Sequence, residues 1–226
     1  FEVQNMVHWV WTEVPMGRDV QDWKLNLTAA EKNVIGNILK GFAQTEVIVN
    51  EYWASKVYNW FPKPEIRMMA AAFANMEGVH TKAYAYLNEE LDLEDYAAFL
   101  EDPESKAKID YLTKTPRINT NQKWSLKDKK AVARSLAIFS AFTEGVNLFS
   151  SFAILLSFKR FNKLKSVGNI VEWSVRDESM HSKAGCWLFR TFVSEYPEVF
   201  DDLLKADIYE AARETVALEC GFIDKV

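Results

Sequence analysis

Between residues 135 and 158 the chain runs for 24 positions with a single charged side chain, Glu144. A helix of that length could cross a bilayer, which takes about 20 apolar residues. The alternative is a helix buried on all sides of a bundle. Ser140, Thr143, Asn147, Ser150 and Ser151 interrupt the run, and residues 127–134 and Lys159 and Arg160 flank it with charge. The rest of the sequence offers no second span, and acids inside membranes are costly and rare. The reading is therefore a central bundle helix and no membrane.

The remaining punctuation also separates long helices. Thr28 and Glu31 form a T-x-x-E capping box, so a helix opens after Thr28 and continues to about Asn59, where Pro62 and Pro64 stop it. Pro64 fits the first turn of a second helix that reaches about Leu91. Small helices are expected around Asp92, Asp95, Asp102 and Pro103, and residues 116–124 read as loop. A third long helix starts near residues 125–128 and reaches about Phe161, a fourth ends at about Tyr196 before Pro197, and a last one covers roughly 206–222. No strand is predicted. Only 8 glycines and 6 prolines in 226 residues argue against a turn-rich β fold, and 49% apolar residues exclude disorder. Long helices joined by short loops predict an all-α bundle, read as one domain over residues 1–226. A net charge of −5 excludes an extended nucleic-acid footprint. Cys186 and Cys220 are too few and too far apart for a disulfide framework, which suits a reducing cytoplasm. The first residue is Phe1 rather than Met, so the expectation is a truncated start; no signal peptide is visible.

The chemistry lies in the histidines. There are three, and two sit in the same pattern, Glu77-Gly-Val-His80 and Glu178-Ser-Met-His181. With 20 glutamates in the chain, chance gives that coincidence only about 2% of the time. The i, i+3 spacing puts both side chains on one helix face, able to reach one metal ion with an oxygen and a nitrogen. One helix upstream of each pair stands a further acid, Glu46 and Glu144, with offsets between the halves of about 100 residues throughout. Four helices can thus aim four carboxylates and two imidazoles inward, the two-metal arrangement of ferritin-like bundles. Isolated carboxylates in a dry core are costly, whereas two divalent cations offset four of them. Oxygen and imidazole donors without thiolate suit iron or manganese. The bland alternative is a protonated core acid at Glu144 and two ordinary surface pairs.

From about Val7 to Cys220 the sequence resembles the small, radical-generating subunit of class I ribonucleotide reductase. The resemblance is carried by Trp11-Thr-Glu-Val, Glu77-x-x-His80-x-x-x-Tyr84, Glu144 in its apolar helix, and Arg176-Asp177-Glu178-x-x-His181. It implies a ferritin-like bundle whose metal ligands are Glu46, Glu77, His80, Glu144, Glu178 and His181. It places Tyr84, on the face of Glu77 and His80, where the family carries a tyrosyl radical when one is used; a plain core tyrosine is the other reading. It also implies that Asp177 bonds the far nitrogen of His80 and that Trp11 donates its indole N–H to Asp177, a route for an electron from the surface.

Some positions depart from the family. Glu46 stands where most members have aspartate. Leu148 replaces a frequent phenylalanine, and Ser174 a usual aliphatic residue. Together they are expected to make the pocket beside the second metal more polar, easing access of water or superoxide; harmless repacking is the alternative. Val49 matches the valine of the crosslink in the related ligand-binding oxidases, but Phe139 stands where their tyrosine would be. The resemblance implies an oxidised two-metal centre, with or without a Tyr84 radical, that passes a one-electron oxidant to a separate catalytic large subunit reducing ribonucleotides. It further implies a homodimer, activation by oxygen or superoxide, and a docking tail beyond Val226. Family branches whose ligand set begins with Glu, as at Glu46, include manganese–iron and dimanganese members, and the retained Tyr84 weighs against the former, so the resemblance favours dimanganese, with di-iron next and manganese–iron also open. The competing expectations are a two-metal oxidase or oxygenase acting on a small organic substrate, and a metal-storage or structural bundle.

Overall fold

In the computed structural model the described residues, 1–93 and 96–225, form an all-α bundle without a strand. Glu94, Asp95 and Val226 lie outside them. The N-terminal segment holds two short helices, α1 (Glu2–Met6) and α2 (Gly17–Gln21), around a 3-10 turn, Trp11–Glu13, and runs on into a π turn, Asp22–Asn26. The first long rod is α3 (Ala29–Glu51), continued by a π stretch, Tyr52–Val57, and the short α4 (Tyr58–Trp60). The second is α5 (Pro64–Glu90). Two small helices follow, α6 (Tyr96–Glu101) and α7 (Pro103–Leu112). The third rod is continuous over Leu126–Arg160 and comprises α8 (Leu126–Ile138), a nine-residue π stretch, Phe139–Asn147, and α9 (Phe149–Arg160). The fourth is α10 (Lys165–Glu195), and α11 (Asp202–Lys225) closes the chain.

The caps explain the boundaries. Glu31 N–H donates to Thr28 Oγ1 at 3.2 Å while Thr28 N–H donates to Glu31 Oε2 at 2.7 Å. Ser125 and Asp128 make the same reciprocal pair at the start of α8. The 31-residue α10 has no such cap of its own and begins at Leu164 in the left-handed region, φ 47°. Buried Asp22 and Asp19 supply it instead, accepting from Leu164 N–H at 3.1 Å and Val167 N–H at 2.8 Å. Their negative charge is favourable at a helix N-terminus, and these bonds lash the N-terminal segment to the fourth rod.

The third rod is the one described helix long and apolar enough to cross a membrane, and half of its apolar window is buried inside the protein. It is a core helix of the bundle. The core falls into two apolar clusters. One contains Ile35, Phe42, Leu87, Phe152 and Ile170; the other contains Val49, Trp53, Phe73, Leu136 and Leu188. Each rod contributes to both; Glu46, Glu144, Glu178 and His181 fall between their rods' two contributions and Glu77 and His80 lie just past the boundary on α5, so the carboxylates form a polar layer with hydrocarbon on either side.

Candidate metal centre

Glu46 comes from α3, Glu77 and His80 from α5, Glu144 from the π stretch of the third rod, and Glu178 and His181 from α10; none has measurable exposure. Their donor atoms form two groups, Glu46–Glu77–His80–Glu178 and Glu77–Glu144–Glu178–His181, each with all its atoms within 4.8 Å of one another. Glu77 and Glu178 belong to both groups. His80 Nδ1 lies 3.0 Å from Glu77 Oε2, 3.0 Å from Glu178 Oε1 and 3.8 Å from Glu46 Oε2. His181 Nδ1 lies 2.6 Å from Glu77 Oε1, 3.7 Å from Glu178 Oε2 and 3.8 Å from Glu144 Oε2. The widened turns at Glu144 are of a kind often found at functional sites.

The electrostatics are those of charge confined in hydrocarbon. Burial pushes Glu46 well above the usual carboxylate range, and burial with the neighbouring Glu178 charge pushes Glu144 up to about 8. Burial opposes ionisation of Glu77 as well, but His181 and His80 together hold it low. The carboxylates hold both imidazoles well above their ordinary range, against burial. Protons alone leave this cluster poorly satisfied. Both oxygens of Glu46 and of Glu178, Glu77 Oε1, Glu144 Oε2 and His181 Nδ1 are buried and make no hydrogen bond. Buried polar atoms are nearly always paired, so seven converging orphan atoms fit cations held between them.

The surrounding groups orient the cluster. His80 turns its Nε2 to Asp177 Oδ2 at 3.2 Å, and His181 turns its Nε2 to Gln4 Oε1 at 2.8 Å, leaving each Nδ1 inward. Trp53 donates its indole N–H to Glu144 Oε1 at 2.7 Å, and its ring flanks His181 together with Phe73. Tyr84, fully buried, donates its hydroxyl to Ser174 Oγ at 2.8 Å; burial and the Glu46 charge push its pKa well up.

One expectation is corrected. Trp11 does not reach Asp177. Trp9 does, donating to Oδ2 at 2.7 Å and stacking on His80 with ring centroids 5.6 Å apart. Trp9 lies in the stretch that runs against α10, where Arg176 also donates to Val7 O, and the turn beginning at Trp11 carries the later ring away to lie beneath the Lys82 ammonium. Ser174 is fully buried and its hydroxyl accepts from Tyr84. Leu148 is buried in the apolar cluster that contains Phe42 and Phe152. Gln4, Trp9 and Trp53 escaped the sequence reading; the one available signal was a tryptophan two positions before the expected one.

The family model "Ribonucleotide reductase, small chain" matches residues 2–226. The chain is 38% identical to the probable ribonucleoside-diphosphate reductase small subunit 376L of Invertebrate iridescent virus 6, over 97% of this chain and 64% of that protein. It is 30% identical to the ribonucleoside-diphosphate reductase subunit beta of Chlamydia pneumoniae, over 95% of this chain and 64% of that one. It thus spans less than two thirds of the length of these relatives. The fold matches that of Streptococcus sanguinis dimanganese(II)-NrdF with a TM-score of 0.81, at 23% identity, over 99% of this chain and 76% of that one. With its ferritin-like bundle and its buried layer of four carboxylates and two imidazoles, the chain belongs to the small-chain family of ribonucleotide reductases.

Proposed function

We propose that this chain is the oxidant-generating part of a class I ribonucleotide reductase, acting on a separate catalytic large subunit that reduces ribonucleotides to deoxyribonucleotides. The observation that carries the reading is the convergence of six buried donor residues, seven of whose buried donor atoms make no hydrogen bond, in a chain of this family. Glu46, Glu77, His80, Glu144, Glu178 and His181 would hold two transition-metal ions, with Glu77 and Glu178 shared between them. When bound, such a pair supplies one-electron redox chemistry that no side chain here could provide alone.

The protein's own groups define the rest. Asp177 and Gln4 accept the outer N–H of the two imidazoles, which fixes each ring and keeps its inner lone pair toward the ions. The apolar clusters keep water from the layer, and Trp53 holds Glu144 in place. Tyr84 is the side chain placed to carry the oxidising equivalent outside the ions, and Ser174 holds its phenolic proton away from the carboxylates. Trp9, Asp177 and His80 form an unbroken contact from the N-terminal segment to Glu77 and Glu178, and this is our assignment for the electron route in place of Trp11. A homodimer, a cytoplasmic location and activation by oxygen or superoxide belong to the same proposal. Dimanganese is the favoured pair, because Glu46 opens the ligand set and Tyr84 is retained, with di-iron next. Family membership does not favour the small-molecule oxidase alternative.

The test is reconstitution with manganese(II) or iron(II), exposure to oxygen or superoxide, electron paramagnetic resonance, and ribonucleotide reduction with the cognate large subunit. A stable oxidised signal that supports reduction is expected. An oxidised protein that never supports it with a cognate large subunit overturns the proposal. Tyr84→Phe then locates the oxidant: lost activity assigns it to Tyr84, full activity to the ions.

A further inference from the structure

Gln4 sits on a five-residue helix, is 3% exposed, and is the only buried residue of α1. Its side chain nevertheless joins the outer nitrogens of the two cluster histidines. Nε2 donates to Asp177 Oδ1 at 3.2 Å, and Oε1 faces His181 Nε2 at 2.8 Å. The orientation of the amide follows from the chemistry of its neighbours. An ionised carboxylate only accepts, and Asp177 already receives Trp9 and His80 on Oδ2. The amide NH2 must therefore face Asp177, and the amide carbonyl must face His181. A carbonyl also only accepts, so His181 must carry a proton on Nε2, which leaves Nδ1, facing Glu77, Glu144 and Glu178, as the nitrogen that can ligate an ion. Asp177 imposes the same tautomer on His80 directly.

We propose that Gln4 is a positioning residue that relays the acceptor demand of Asp177 to His181, so that one carboxylate sets the tautomers of the imidazoles in both halves of the centre. The proposal rests on the metal-centre reading above. Its consequence is that the N-terminal segment belongs to the centre: through Gln4 and Trp9 it holds both histidines from the outside.

The test uses the full chain and manganese(II), titrated with free ion followed by electron paramagnetic resonance. Gln4→Leu keeps the apolar bulk and removes both hydrogen bonds. The ion held with Glu144 and His181 should bind about 10–100-fold more weakly, while the ion held with Glu46 and His80, whose Asp177 contact is intact, keeps its affinity. The second readout is the long-range 1H–15N spectrum of zinc(II)-loaded protein labelled at its three histidines. Wild type should show Nε2–H for His80 and His181, and Gln4→Leu should lose that signature at His181 alone. Unchanged titration and unchanged His181 signals overturn the proposal, as does equal weakening of both ions, which would make Gln4 a packing residue. If Gln4→Leu does not fold, Gln4→Met is read by the same criteria. Wild-type protein that takes up no pair of ions fails without any variant, and it overturns the metal-centre reading together with the positioning role.

Discussion

Among the glycines of the chain, Gly185 is the most tightly surrounded, where α10 passes the π stretch of the third rod, and the contact can be probed with one methyl group. A Cβ built on Gly185 would run into Ser140 Oγ, lie 2.7 Å from Ser140 Cβ, and meet the Trp53 ring at 3.5 Å. Ser140 precedes Glu144 by one turn and is itself fully buried, and Trp53 holds Glu144 by its indole N–H. Overpacking a well-filled interior costs about 1–3 kcal/mol, and overlap with two atoms near the backbone belongs at the upper end. Alanine in place of a mid-helix glycine returns about 1 kcal/mol. Gly185→Ala should therefore be destabilised by about 2 kcal/mol net, a fall in Tm of about 4–8 °C for a chain of this size. The displaced Glu144 should also weaken binding of one ion. Thermal unfolding followed by circular dichroism gives the first number. Ser140→Gly removes both offending atoms, so the double variant should recover most of the loss relative to Ser140→Gly alone. A Gly185→Ala protein with unchanged Tm, or a double variant with no recovery, would refute the packing argument.

Three further outcomes are expected. Gly221→Ala, in α11, has nothing within 4 Å of the new methyl, so it should gain about 0.5–1 kcal/mol in a urea titration, the opposite sign to Gly185→Ala. Glu31 is held low, at about 2, by the Lys163 ammonium and the Thr28 backbone N–H; its folded pKa lies below its unfolded one, so its contribution is complete above about pH 4.5 and is lost as pH falls toward 2. The gap in urea midpoint between wild type and Glu31→Gln should accordingly be widest at neutral pH and narrow below about pH 4.5. Trp9→Phe removes a hydrogen bond to a buried carboxylate and should cost about 1.5–3 kcal/mol, whereas Trp11→Phe should stay within about 0.5 kcal/mol; the reverse order would restore Trp11 as the partner of Asp177.

The long helices were legible because their ends are written locally: Thr28 with Glu31, Ser125 with Asp128, and Pro64 at a first turn. The inner residues of the centre were legible because i, i+3 spacing on a helix translates directly into a shared face. The groups that orient them were not. Gln4 and Trp9 reach Asp177 across 173 and 168 positions of sequence, from a segment without a sustained period, so no spacing rule says which side chain turns inward. Trp53 reads as one more core aromatic until the π stretches bring it to Glu144. Those stretches, Tyr52–Val57 and Phe139–Asn147, shift the helical register and leave no mark in a pattern dominated by apolar residues. Ser174 is held by Tyr84 on the neighbouring rod, a partner that no spacing within its own helix indicates.

The central claim is that six side chains grip two cations, and metal stoichiometry tests it most directly. Elemental analysis of the chain after reconstitution with manganese(II) and removal of excess ion should give two ions per chain. Glu178 belongs to both donor groups, so Glu178→Ala should lose at least one ion. Two ions retained by Glu178→Ala, or none bound by the unaltered chain, would contradict the account.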